Sequence, residues 1–328
     1  MSLCKVSNDV AEATIVKAHT CHVTIRSGLV ATFVLGMATL LPASACCMQI
    51  EEDLRLSDTS DRPEGSGFPT AANTGVPSGT TLTPSGDIMV TKAGTVLSGL
   101  DIKGMVVIRA DNVTIQNSKI SSDGYSGVKV ERGFKGASVI NSDIDGMGST
   151  AGSYGIMGNG TFVGNDIRGF ENGINLTGGS STVRGNYIHG LQAPGSPHYD
   201  GIQSMGGQSD TLIEGNTIRA RGTSAIFIDN MFGPVNGVTV RNNYLGDDGQ
   251  FLGYTMYVLG DRGGHYPVMN VIIRDNYIIK GKYGFYSIRP DYYGHLPTIV
   301  GNTEVLYKVP PERIPGGAMV PAADLMPQ

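Results

Sequence analysis

The chain of 328 residues contains no tryptophan, and its four cysteines, Cys4, Cys21, Cys46 and Cys47, all precede residue 48. Nothing after that point can form a disulfide or a thiolate metal site. Charged residues make up only 16% of the chain, with 24 Lys and Arg against 29 Asp and Glu. Such a chain lacks the basic face that neutralises phosphates, so no nucleic acid partner is expected. The body of the chain has no 18-residue apolar run, which excludes a polytopic membrane protein and any stable membrane insertion there. No segment keeps a 3.6-residue hydrophobic period, which excludes a helical domain.

What the sequence has in excess is glycine. There are 47 glycines, without a collagen triplet and alongside 40% hydrophobic residues, the composition of a turn-rich all-β domain. Ahead of it, Gly28 to Leu41 is a mostly apolar run after Arg26, followed by Pro42-Ala43-Ser44-Ala45. An apolar run of that length before an A-x-A site predicts a secretory signal over residues 1–45, cleaved after Ala45. The protein is therefore expected to be secreted or displayed at the cell surface. Lipidation of Cys46 is the alternative outcome, although Ala43 stands where a lipoprotein signal usually has Leu. Residues 46–67 are polar and acidic and suit a flexible spacer. Residues 68–99 carry short Thr-rich alternations and read as an N-terminal cap. Residues 307–328, rich in Pro and Gly, read as a tail.

Between these segments two short patterns alternate. One is a glycine followed by an alternating strand, as in Gly173-Ile174-Asn175-Leu176 and Gly201-Ile202-Gln203-Ser204. The other has the form V-x-I/V-x-G/N-N-x-I, with Ser118, Ser142, Asn165, Asn186, Asn216, Asn243, Asn276 and Asn302 at its asparagine position. Their separations of 24, 23, 21, 30, 27, 33 and 26 residues mark a solenoid of about eight coils. Two short strands per coil are predicted, with corners at Gly and Asn because these tolerate left-handed backbone angles. Stacking at about 4.8 Å puts the Val, Ile and Leu of successive coils into apolar stacks and the asparagines into a structural ladder.

With these features the chain resembles the right-handed parallel β-helix proteins of the pectate-lyase-like superfamily over residues 68–306. The stretches Asn73-Thr74-Gly75-Val76-Pro77-Ser78-Gly79-Thr80 and His198-Tyr199-Asp200-Gly201-Ile202-Gln203 are similar to a group of secreted bacterial β-helix proteins. The resemblance implies an all-β, single-stranded right-handed parallel β-helix acting on extracellular polysaccharide as a lyase, hydrolase, epimerase or binding protein. The paired-Asp and Gly-His-Gly motif of polygalacturonases, the Asp-Pro-His of mannuronan epimerases and the vicinal-Asp calcium site of pectate lyases are not seen. No cofactor is required on this reading. A Ca2+ ion at Asp247-Asp248, in a hairpin-like loop from Gly246 to Gly249, is the alternative.

Aligning the first strand of each coil predicts an outward column of Lys129, Met157, Asn175, Gln203, Phe227, Tyr257 and Tyr286. Beside it a column of Gly127, Gly155, Gly173, Gly201, Ala225, Thr255 and Gly284 would form a small-residue trough. Asn175, Gln203, Phe227, Tyr257 and Tyr286 are thereby expected to bind sugar hydroxyls and ring faces. His198 and Asp200 are two apart, so an extended segment points both the same way. A carboxylate beside an imidazole sets its tautomer and raises its basicity, so the expected acid and base groups are His198, Asp200 and Tyr199. The alternative is that Asp200 caps a turn and His198 anchors the loop. Arg262 and Arg289 could pair with uronate carboxylates, a neutralisation that β-elimination needs. Arg289 could equally pair with Asp291.

Three functions follow from this site. The leading one is a lyase or epimerase of an acidic polysaccharide, acting as a monomer. A glycoside hydrolase needs two carboxylates across the scissile bond. Asp200 and Asp229 are on adjacent coils, but their strand positions differ by about five residues, near 16 Å. The third is a non-catalytic glycan-binding or adhesion module.

Overall fold

The computed structural model describes residues 67–306, so the leader, most of the spacer, Cys46 and the tail lie outside the described residues. The strands fall into three parallel sheets of ten, nine and nine strands. Successive strands visit sheet 1, sheet 2 and sheet 3 in turn, giving nine complete coils and the first strand of a tenth. The fold is all-β, a right-handed parallel β-helix, the sense that strand twist imposes on parallel crossovers. Each coil contains three strands where the alternation predicted two. The third is short, often three residues such as Thr161–Val163, too brief for a period-2 signal to separate it from the ladder motif.

Stacking keeps the inward columns in register, with one bulge on sheet 1 where Ala220 pairs with Asp247 and Gly222 with Leu252. On sheet 2 the inward column runs Val106, Val128, Ile156, Ile174, Ile202, Ile226 and Met256, each paired with its neighbours and at most 1% exposed. Sheet 1 contributes Ile102, Ile120, Ile144, Ile167, Ile188, Ile218, Leu245 and Ile278. Burying a stack of such side chains supplies the main driving force, about 1.5–3 kcal/mol for each.

The ladder lies at the corner from sheet 3 to sheet 1. The residue before each ladder position is left-handed: Asn117 (φ 49), Asn141 (φ 46), Gly164 (φ 66), Gly185 (φ 63), Gly215 (φ 62), Asn242 (φ 56), Asp275 (φ 57) and Gly301 (φ 66). Asn186 shows the wiring. Its Oδ1 accepts from the amide of Asn165 at 3.0 Å and from Asn165 Nδ2 at 2.9 Å. Its Nδ2 donates to the carbonyl of Phe162 at 2.8 Å and to Asn216 Oδ1 at 2.9 Å. Asn186 is fully buried, as are Ser142, Asn165, Asn216, Asn243 and Asn276.

The expected cap is a correction. Thr83–Ser85, Ile88–Val90 and Val96–Ser98 already form the first coil. Residues 67–82 instead run along the outer face of sheet 1 as a strap, opposite to the direction in which coils are added. Phe68 packs edge-on against Tyr244 at 5.8 Å, in a cluster with Tyr277, Ile279 and Val305. Midway, Gly75 donates to the carbonyl of Gly164 at 2.9 Å. Gly75 has φ 78, and a Cβ there would fall 2.2 Å from Asp143 Oδ1. Asp143 lies next to Asp166, and burial together with that like charge raises its pKa. Asp166 is held the other way, because His189 Nε2 at 3.1 Å and Arg168 Nη1 at 2.7 Å outweigh its burial.

The ladder makes a quantitative expectation. Asn186→Ala should destabilise the fold by roughly 3 kcal/mol or more, because it strands a buried amide and a buried carbonyl. Asn186→Ser should cost less, since Ser142 fills the same position, accepting from Ser118 N and donating to Ile140 O. Urea unfolding of the two variants measures both; a loss below about 1 kcal/mol in Asn186→Ala would mean that the ladder amides contribute little.

Candidate functional site

The outer face of sheet 2 is where the predicted column lies. Lys129, Met157, Asn175, Gln203, Phe227 and Tyr257 pair in sequence across six coils. The next member is Ser287, and Tyr286 is opposite Met256, an inward position. Tyr286 is therefore packed against the core, with burial and nearby Glu304 raising its phenol pKa. Gly284 was aligned with the corner glycines, but it pairs with Tyr254, one residue before the corner. A one-residue slip turned that strand's face around.

The small-residue trough is also corrected. Gly127, Gly155, Gly173 and Gly201 are buried and point into the interior. A Cβ on Gly201 would lie 2.2 Å from Ile218 Cγ2 and 2.6 Å from the carbonyl of Ala225. At this corner the glycine and the following Ile or Val both turn inward, which breaks strict alternation. The residue before the glycine is thereby brought to the outer side, and in one coil that residue is Asp200.

A cleft of about 410 Å³ opens there. It brings together seven of the residues singled out from the sequence: His198, Asp200, Gln203, Phe227, Tyr257, Arg262 and Arg289. Phe227 and Tyr257 stand with ring centroids 5.5 Å apart, and Tyr257 is fixed by the amide of Tyr254, which donates to its hydroxyl at 3.2 Å. Three candidates lie elsewhere. Asn175 is in the outward column one coil before Gln203 and is 8% exposed, outside the cleft. Tyr199 packs against the core beneath the guanidinium of Arg221, its hydroxyl beside the backbone of Ala193. Tyr286 is the inward residue described above.

Asp200 is the chemically unusual group of the cleft. It is 3% exposed, and burial, which the hydrogen bond from Ser224 only partly offsets, pushes its pKa up to about 7, helped by Glu171 and Asp229. Ser224 Oγ donates to its Oδ1 at 2.5 Å, and its amide donates to Asn172 Oδ1 at 2.9 Å. The expected His198–Asp200 pair does not form: among the described residues no hydrogen bond joins them. His198 lies at the mouth, its amide donating to Glu171 Oε1 at 3.2 Å. Glu171 also accepts from Gly152 N at 2.5 Å and so ties two corner loops together.

Asp229, which sequence spacing had set too far from Asp200 to act with it, lines the same cleft. It is 1% exposed, and burial raises its pKa against the amide of Met231 at 3.1 Å and Arg262 at 4.0 Å. Arg289 pairs with Asp261 at 3.2 Å and not with Asp291. Asp291 is spent on the amides of Val268, Tyr293 and His295 and on His295 Nδ1.

The calcium alternative does not fit. Asp248 receives the amide of Gly190 at 2.8 Å and Arg219 at 3.3 Å, while Asp247 accepts from Gly249 N at 2.7 Å. Both residues belong to the strand Tyr244–Leu252 rather than to a free loop. Among the described residues no three His, Cys, Asp or Glu side chains gather as metal ligands.

The burial of Asp200 predicts a pH signature. An unfolded Asp titrates near 3.9 and the folded one at about 7. Between those values the native state holds the extra proton, so its contribution to stability falls as pH rises through the window and is lost above it. Asp200→Asn should therefore match the wild type near the acidic end and become progressively more stable toward neutrality, by at most about 4 kcal/mol. Parallel melting curves for the two across this range would contradict the buried carboxyl.

Residues 88–201 match the family model described as right handed beta helix region, which covers the coils from the first sheet-2 strand to the start of the cleft. No curated protein and no solved structure matches the chain.

Proposed function

We propose that this protein is a polysaccharide lyase of the pectate-lyase-like kind, which binds an anionic glycan on sheet 2 and transfers protons through Asp200. The observation that carries the reading is the Asp200 carboxyl, buried at the cleft floor and poised at about 7. An acid or base works best when its pKa lies near the working pH. Phe227 and Tyr257 offer apolar faces for sugar rings, and Gln203 offers an amide for hydroxyls. Arg262 and Arg289, at the other end of the cleft, suit uronate carboxylates. Pairing a carboxylate with Arg neutralises it and makes the adjacent C5 proton more acidic. Removal of that proton forms the C4–C5 double bond as the C4–O bond breaks, and the leaving oxygen takes up a proton. An epimerase shares the first half of this sequence, returning the proton to the opposite face. The leader read in residues 1–45 suits a substrate found outside the cell.

A hydrolase is the second reading, and Asp229 favours it. Two buried carboxyls share the cleft in unlike surroundings, one beside a hydroxyl and one beside a guanidinium. Unlike surroundings separate an acid from a base, although the register keeps the two strand positions five residues apart.

Incubation with anionic and neutral polysaccharides, read by ultraviolet absorbance of unsaturated ends and by reducing ends, separates these cases. A lyase raises both signals on anionic chains alone, whereas a hydrolase raises only reducing ends. Asp200→Asn should lower turnover roughly 100-fold or more and keep polysaccharide binding. Binding without either product would mark a glycan-binding module.

A further inference from the structure

The register of sheet 2 sets a second column beside Gln203 and Phe227. Tyr154, Asn172, Asp200, Ser224 and Tyr254 follow one another on five successive coils. Asp200 is its midpoint, with a tyrosine two coils away on each side. Each of these tyrosines carries an exposed partner one coil farther out. Tyr125, 50% exposed, meets Tyr154 edge-on at 5.5 Å. Tyr283, 61% exposed, meets Tyr254 at 5.8 Å. The outer tyrosines each precede the residue in register with the inner pair, Ser126 opposite Tyr154 and Gly284 opposite Tyr254. Six steps of about 4.8 Å place Tyr125 and Tyr283 roughly 29 Å apart, with Asp200 midway.

We infer that these two tyrosine pairs are distal sugar subsites, so that the glycan lies parallel to the solenoid axis and is cut internally, at the bond above Asp200. This rests on the lyase reading of the cleft. The two halves of the track differ in chemistry. Toward Tyr283 the chain passes the Phe227–Tyr257 rings, and the ammonium of Lys282 sits 5.1 Å over the Tyr283 ring. Toward Tyr125 it passes the Glu171 carboxylate beside Tyr154, with Lys129, paired to Glu131, in the outer column. Each end therefore offers an aromatic face, and at the Tyr283 end a lysine sits over it, which fits acidic sugars there. Two-sided anchorage makes internal cleavage the outcome, because a chain gripping both pairs presents a middle bond to Asp200. A track built on one side only would release short pieces from an end.

The test uses the full chain and oligogalacturonates and oligomannuronates of graded defined length, with fragments read by mass spectrometry. The wild type should cut internally, with kcat/KM rising as the oligomer grows long enough to reach both pairs. Tyr125→Ala and Tyr283→Ala should each lower kcat/KM on long chains about tenfold and move the cut in opposite directions along the oligomer. Tyr125→Phe and Tyr283→Phe should restore the wild-type pattern, because the ring supplies the contact. Internal cleavage with an unshifted pattern in both alanine variants, or release of end units only, overturns the track and leaves the lyase reading standing. No cleavage of any oligomer by the wild type overturns both.

Discussion

The structure depends on one constraint: each coil must sit on the last with no residue slipped, at a corner where backbone polarity has nowhere else to go. The left-handed residue and the ladder residue after it enforce this. The ladder side chain takes an amide from the coil before and gives its own hydrogens to carbonyls there and to the next ladder oxygen. A slipped coil would bury several polar groups without partners, at a cost larger than the marginal stability of a typical domain can absorb. Coil length is therefore free while register is not. The separation between ladder residues stretches from 21 to 33, and the excess emerges as corner loops that do not disturb the columns. The loop before Asp200 and the one bearing Arg262 are such excesses, carried on a frame that positions them anyway.

The cleft is where the stack departs from its own rule. Elsewhere the residue at this corner position is uncharged: Ser126, Tyr154, Asn172, Ser224 and Tyr254. Substituting a carboxyl at that position, under a neighbouring coil and out of water, costs free energy that the Ser224 hydroxyl only partly offsets. The carboxyl responds by keeping its proton to about neutral pH. Local inconsistency of this kind, in an otherwise regular sequence, is what a proton-transfer site requires.

The fold was legible because its signal repeats: eight ladder positions and seven strand starts over-determine a solenoid. The outward column was read in register through six coils, since the distance from corner glycine to strand stays constant from Gly127 to Ala225 and on to Thr255. It failed at the seventh because Gly284 lies one residue before its corner, at φ 150, and a glycine there carries no mark distinguishing it from the others. The orientation of the glycine column was lost for a different reason. Period-2 alternation was extended through a bend at which two consecutive residues face inward, and spacing cannot reveal a bend. The same bend explains why Asp200 reaches the cleft without His198 as its partner. The five-residue offset between Asp200 and Asp229 holds in the register, but spacing does not show that both side chains open onto one cleft.

The strap over residues 67–82 was illegible altogether, since nothing within those residues points to Tyr244. Its effect is on cooperativity. In a bare solenoid each coil touches only its neighbours, so end coils can fray independently of the middle. The strap begins at Phe68 on the Tyr244 and Tyr277 rings, passes Gly164 at its middle and enters the first coil at Thr83, where it pairs with Leu100. About 35 Å of rod is thereby bridged by one covalent segment. Fraying of the last coils uncovers Phe68, and loss of Phe68 loosens the segment that holds Asp143 out of water beside Asp166. Coils too far apart to touch are coupled through this segment. The coils carrying Asp200 and Tyr257 lie inside the span it closes, so the cleft is held by contacts at both ends of the rod as well as by its own neighbours.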